Sequence, residues 1–169
     1  SLDSYVSVLM MENKVVTKKV LERAGISVPG GYEYTSPEAG MADYRLYAGK
    51  PVVIKPKSTN FGLGITILKH NYDETDFKAA LQIAFEHDNT VLIEKFIPGR
   101  EFRIFIINDE VVGILHRVPA NVTGDGVLNI GQLIDRKNED PLRGKGYRTP
   151  LEKIRKGREE EMFLKQQGM

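Results

Sequence analysis

Pro51-Val52-Val53-Ile54-Lys55-Pro56-Lys57-Ser58-Thr59-Asn60-Phe61-Gly62-Leu63-Gly64-Ile65-Thr66-Ile67-Leu68-Lys69 sets the frame for everything around it. The continuous apolar run Val52-Val53-Ile54, closed by Pro56, suits a mostly buried strand, and Ile65 to Lys69 suits its antiparallel return. The segment between them holds two glycines and two hydroxyl side chains. Glycine lets backbone N–H groups come close to a polyphosphate, and Lys55 at the strand end can add a point charge. The plain alternative is a hairpin with glycines at positive φ, and these residues alone leave the two readings level. There is no GxxxxGK[ST] pattern, and Gly62-Leu63-Gly64 leads into β-branched residues rather than into a helix, which argues against a dinucleotide fingerprint. A phosphate-binding role would make this loop a flap between two strands.

Downstream of the flap, Asp73 is a candidate N-cap. Phe77, Ala80, Leu81, Ala84 and Phe85 then follow the i, i+3, i+4, i+7, i+8 spacing of an amphipathic helix. Strands are predicted at Val91 to Phe96, Phe102 to Ile107 and Val111 to Arg117, the last two joined by the turn composition Asn108-Asp109-Glu110. Upstream, Val16, Val20, Leu21 and Ala24 mark a short helix from Asn13 that stops at Gly25. Pro29-Gly30-Gly31 follows, and Tyr32 to Tyr34 can begin a strand. Helix, hairpin, helix, strand, hairpin is the order of an α+β fold with antiparallel sheets and packed helices. Past Arg117 lie two glycine-rich loops around one short helical pattern, Ile130, Leu133 and Ile134. The tail from Pro150 is charged and has few residues to bury, so it is expected to be mobile.

Composition excludes several function classes. At 169 residues the chain is about one domain long and can bury a sizeable core. Lys plus Arg number 24 and Asp plus Glu 23, a net charge of +1, so no large field steers it to nucleic acid or an anionic membrane. Cysteine is absent, which removes disulfides and thiol chemistry and is compatible with a reducing cytoplasm. His70, His87 and His116 have no chelating spacing, and no metal ligand is assigned. The run Tyr5 to Met11 is too short to span a bilayer. A soluble, intracellular chain is the expectation, and it opens on Ser1 as a piece of something larger would.

Two further constellations bear chemistry. Glu94-Lys95-Phe96-Ile97-Pro98-Gly99-Arg100-Glu101 can supply an aromatic or apolar wall for a base, backbone groups for its edge and a carboxylate for ribose hydroxyls. Each residue also has an ordinary alternative: Phe96 as core, Glu94 and Glu101 as solvated charges, Pro98-Gly99 as a turn. Arg117 ends a strand and faces the glycine-rich stretch Pro119 to Gly126, where its planar fork can grip a carboxylate or phosphate; a surface arginine is the plainer reading.

Taken in order, these pieces resemble the ATP-grasp superfamily of carboxylate–amine ligases over nearly the whole chain. The resemblance implies that Lys14 and Lys55 contact nucleotide phosphate and that Ser58, Gly62 and Gly64 belong to the loop closing over it. It also implies that Glu94, Phe96 and Ile97 form the adenine hinge and that Glu101 binds ribose. Arg117 is implied as a catalytic residue that orients the carboxylate or acyl phosphate. The segments Arg117 to Gly126 and Asp140 to Gly144 are similar to the carboxy-terminal module of bacterial bifunctional glutamate–cysteine ligase/glutathione synthetases, with cyanophycin synthetases as near relatives. That narrower likeness implies ATP, magnesium, γ-glutamylcysteine and glycine as reactants, an acyl-phosphate intermediate and a cytoplasmic enzyme.

On this pattern the chain divides into an opening helix and linker (1–50), a nucleotide-binding subdomain (51–103) and an incomplete carboxy-terminal subdomain (104–169). The E-x-N metal pattern of the family does not occur after Arg117. The expectation is therefore a partial ATP-grasp fold that binds ATP, takes its magnesium ligands from elsewhere and is inert alone. Strands missing from a central sheet would leave unpaired edges, which keeps self-association open.

Overall fold

Along Val52–Pro56 buried and half-buried side chains alternate, the period-two pattern of a strand with one face on a core. The computed structural model of the protein describes residues 4–59, 62–146 and 148–169. In chain order its elements are α1 (Tyr5–Glu12), α2 (Lys14–Arg23), β1 (Gly31–Tyr34), α3 (Pro37–Ala42), α4 (Tyr44–Tyr47), β2 (Val52–Pro56), β3 (Thr66–Leu68), α5 (Glu74–Phe85), β4 (Val91–Lys95), β5 (Glu101–Ile107), β6 (Glu110–Arg117), α6 (Ile130–Lys137), β7 (Arg143–Gly144), β8 (Leu151–Glu152) and α7 (Arg158–Gln166). They make two units, Ser1–Pro98 with Glu161–Met169, and Gly99–Glu160.

In the first unit the sheet order is β1-β4-β2-β3, antiparallel throughout. β2 and β3 are the predicted hairpin, with Val52 opposite Leu68 and Ile54 opposite Thr66. β4 joins β2 from far along the chain, placing Ile54 opposite Ile93. The face carrying Ile54, Leu68, Val91 and Ile93 packs against Phe77, Ala80, Leu81 and Ala84 of α5, the residues whose helical spacing predicted this stripe. Asp73 caps the helix, its carboxylate accepting from the Asp76 N–H at 2.9 Å.

Helices α3 and α4 are additions to the expected order. Ser36 caps α3, accepting from the Ala39 N–H at 3.2 Å, and Pro37 opens it with φ already set. These two turns carry Tyr44 and Tyr47 onto Phe77, whose ring lies 5.2 and 5.7 Å from theirs. Tyr72 stacks on Phe77 as well, at 6.3 Å. The hydroxyls of the cluster stay satisfied: Tyr34 and Tyr47 share a 2.8 Å hydrogen bond, and Tyr72 donates to the Lys50 carbonyl at 2.8 Å. Burial pushes the Tyr72 phenol up to about 12.

The tail departs from expectation. Arg158–Gln166 is helical, Met162 packs against the core of the first unit, and Lys165 donates to Asp76 at 2.6 Å. The apolar contact of Met162, the ion pair of Lys165 to a nearly buried carboxylate, and Gln166, which accepts from the Lys69 N–H at 3.4 Å and donates to the Asn71 carbonyl at 3.5 Å, seat it.

In the second unit β5 and β6 form the predicted hairpin, with Glu101 opposite Arg117 and an irregularity between Phe105 and Ile106. Asn108 and Asp109 both take positive φ, the conformation a tight two-residue turn needs. Its apolar side chains, Ile104 and Ile114 among them, are exposed. α6 starts with a capping box, Asn129 accepting from Gln132 and Gln132 reaching back to the Asn129 N–H. β7 and β8 are a short parallel pair.

Candidate nucleotide-binding site

β2 and β4 run antiparallel with Val53 opposite Glu94 and Lys55 opposite Leu92. Lys55 is therefore the diagonal neighbour of Glu94 on the face turned away from α5. The Lys55 ammonium pairs with Glu94 Oε2, and the other oxygen, Oε1, accepts from Lys18 Nζ at 2.7 Å. The Glu94 side chain is 3% exposed and those of the lysines 20% and 21%. A carboxylate so buried is stable as an anion only when paired, so the solvated alternative for Glu94 does not hold.

Lys14 lies one helical turn before Lys18 on α2, on the same face. Its ammonium reaches the end of β2 and donates to the carbonyls of Pro56 at 3.3 Å, Lys57 at 2.9 Å and Thr59 at 2.6 Å. Burial, and then the neighbouring Lys55 ammonium, hold the Lys14 amine below its usual range, against the opposing pull of Asp88 and Glu94. Three ammonium groups against the two carboxylates Glu94 and Asp88 leave an excess of positive charge beside the glycine loop.

The loop is pinned at its start. Ser58, exposed, donates its N–H to Asp88 Oδ2 at 2.7 Å, and Thr90 donates to Oδ1 at 3.1 Å. Burial disfavours the Asp88 anion, but the bonds from Ser58, Thr90 and Asn89 outweigh it, and its carboxyl sits below the usual range. Gly62 and Gly64 have φ of +77° and +69°. Gly64 is buried, and a Cβ there would stand 2.7 Å from both Pro56 Cγ and His87 Cδ2, so this turn accepts no side chain. Asn60 and Phe61, part of the expected loop, lie outside the described residues.

Phe96 is half-buried at the end of β4 and donates its N–H to the Pro51 carbonyl at 3.0 Å, while Ile97 is exposed. Glu101 and Arg117 belong to the second unit, where they pair with one another at 2.5 Å on the surface of the ribbon. Sequence reasoning missed Lys18 and Asp88. The i, i+4 spacing from Lys14 was the available signal for Lys18; for Asp88 there was none, because its partner Ser58 is thirty residues away.

Gly31 sits beside the site on β1. A Cβ at this position would meet the Ile93 carbonyl at 2.1 Å and Glu94 Cα at 2.7 Å. Gly31→Ala should therefore force β1 off β4 and cost about 2 kcal/mol in urea unfolding. An unchanged midpoint would show that the sheet yields there without strain.

Among the described residues no three His, Asp or Glu side chains come together to hold a metal ion. Among them, too, no helix is long and apolar enough to cross a membrane.

An α+β fold whose antiparallel sheet carries a glycine flap, with lysines converging on the flap's strand, defines the ATP-grasp class. Residues 32–130 match the family described as D-ala D-ala ligase C-terminus, more than half of the chain, and the chain belongs to that family. Over 168 residues it is 60% identical to the "Glutathione biosynthesis bifunctional protein GshAB" of Desulfotalea psychrophila, covering 99% of this chain and 22% of that protein. The protein of the same name from Clostridium perfringens is 54% identical over 169 residues, again with 22% of its length covered. The crystal structure of D-alanine–D-alanine ligase from Bacillus anthracis complexed with ATP is 31% identical, with a TM-score of 0.51, over 63% of this chain and 34% of that one. The chain thus spans about a fifth of the length of these curated relatives.

Proposed function

We propose that the chain is the nucleotide-binding part of an ATP-dependent, ADP-forming carboxylate–amine ligase of glutathione biosynthesis, working in the cytoplasm. The observation that carries this reading is the convergence of Lys14, Lys18 and Lys55 around buried Glu94 at the base of the glycine flap. The names of the relatives support the choice of pathway. In the reaction, the γ-phosphoryl of ATP passes to the cysteinyl carboxylate of γ-glutamylcysteine, giving ADP and an acyl phosphate. The amine of glycine attacks the acyl carbon, the C–O bond to phosphate breaks, and the nitrogen loses a proton. Carboxylates are poor electrophiles, and the acyl phosphate supplies the leaving group.

In this reading Lys14 and Lys55 hold phosphate oxygens, offsetting charge on the transferring group. Gly62 and Gly64 present backbone N–H groups, and with Ser58 they belong to the loop that closes over the phosphates and keeps water out. Phe96, Ile97 and the backbone after Glu94 wall the adenine, Glu101 takes the ribose hydroxyls, and Arg117 orients the carboxylate. The division at 50 and 103, into opening helix, nucleotide-binding and carboxy-terminal parts, belongs to the same proposal.

The test is a calorimetric titration of a non-hydrolysable ATP analogue with magnesium into the chain. Saturable binding at one site is expected, and the absence of binding heat, with no change in thermal melting, would overturn the nucleotide reading. In a longer polypeptide containing this chain, ATP consumption should require γ-glutamylcysteine and glycine together.

Lys14 adds a proton linkage. Its amine is held low in the free protein, and a polyphosphate placed on it favours the ammonium. Binding at about pH 9 should take up protons, seen as a dependence of the binding heat on the buffer's ionisation enthalpy. At pH about 7, well below the ordinary lysine range, the uptake through Lys14 should shrink. Equal uptake at the two pH values would exclude Lys14 as its source.

A further inference from the structure

Helix α2 buries no residue. Among the described residues, two of its side chains make polar tethers to the sheet: Lys14 through the carbonyls at the end of β2, and Lys18 through Glu94. If Lys14 serves phosphate, it must trade carbonyl oxygens for phosphate oxygens, because an ammonium has three protons and here faces three carbonyls. During that exchange the Lys18–Glu94 pair still ties the helix to β4.

We propose that Lys18 is a positioning residue of the nucleotide site, locking α2 to β4 through Glu94 so that Lys14 and Lys55 are delivered together to the base of the glycine flap. This inference rests on the nucleotide reading for its functional consequence, while the lock itself is a property of the free protein. The geometry has two arms. Through the helix, Lys18 fixes Lys14 one turn away. Through the shared carboxylate, it occupies Oε1 and leaves Oε2 to Lys55. A carboxylate with one ion-paired oxygen and one free oxygen in a buried setting could turn to satisfy either; two lysines on separate elements fix its plane.

Lys18 need not touch the nucleotide, and its loss should act through the two lysines it holds in register. Lys18→Met keeps the apolar stem and removes the ammonium; Lys18→Arg restores a cation able to reach the carboxylate.

The experiment measures analogue binding by calorimetry and amide hydrogen exchange for the native chain, Lys18→Met and Lys18→Arg, with thermal melts alongside. In Lys18→Met, affinity should fall about tenfold, exchange should quicken across α2 (Lys14–Arg23), and the melting of the sheet should hold. Lys18→Arg should recover most of the affinity and the protection. Native binding with no loss in Lys18→Met overturns the inference and leaves the nucleotide reading standing. Should the native chain bind no nucleotide, the reading fails, and exchange in α2 decides the lock by itself: faster in Lys18→Met supports it, unchanged overturns it. A melt collapsed in both variants would mark Lys18 as a fold residue and overturn the positioning role.

Discussion

Lys55→Ala is expected to weaken binding of a non-hydrolysable ATP analogue by about 10- to 100-fold, the worth of one charge-assisted contact to phosphate. The reason lies in where β2 ends. Lys55 is the penultimate residue of that strand, directly before the flap, and its half-buried ammonium rests on Glu94. Low exposure limits screening by water, so a cation here counts for more than one on an open surface. Stability should fall much less, by about 1–2 kcal/mol, because Lys18 still pairs with the buried carboxylate and no uncompensated charge remains. Calorimetry and a urea titration on the same protein separate the two effects. Equal analogue affinity in native and variant chains would remove Lys55 from the nucleotide site.

Phe77→Ala carries the largest expected loss of stability, about 3–5 kcal/mol, from lost transfer energy and the cavity left behind. Phe77 is fully buried, and its ring meets those of Tyr44, Tyr47 and Tyr72. Those tyrosines cannot collapse into the space cheaply, since Tyr47 and Tyr72 are tethered by hydrogen bonds to Tyr34 and to backbone carbonyls. A small domain has only about 5–15 kcal/mol of stability in all, so the urea midpoint of the first unit should drop steeply. Phe77→Leu, which conserves more of the volume, should cost distinctly less. A loss near that of Leu for the alanine variant would mean the aromatic cluster repacks, contrary to its tethering.

Much of the fold was legible because local chemistry and tertiary structure agree. The flanks of the flap read as strands from their apolar runs, and α5 from its stripe and its Asp73 cap, since each pattern reports on a face that ends up buried. The β5–β6 hairpin followed from a turn that only a few residue types tolerate. Helices α3 and α4 escaped notice despite the Ser36-Pro37 start signal, because elements of six and four residues show too little periodicity to stand out. The docked tail escaped for a different reason: Met162 and Lys165 find their partners far away in the chain, on α5 and its surrounding core.

The site divides in the same way. Residue type and order in the chain were enough to mark Lys55, the two loop glycines and Glu94 as candidates, because a strand, a tight turn and a strand end leave little choice about where they stand, whereas Lys14 entered through the family resemblance alone. Whether Glu94 pointed to water or into the protein was undecidable from Val91-Leu92-Ile93-Glu94-Lys95, a run apolar on both faces. Its direction is set by the register against β2, with Val53 opposite it. Its two lysine partners come from positions 39 and 76 residues away, as Lys55 and Lys18 stand to Glu94. Local spacing carries the energy of turns and helix faces; a buried ion pair between distant elements exists only once the sheet and the helix have met, and there burial makes the pairing obligatory.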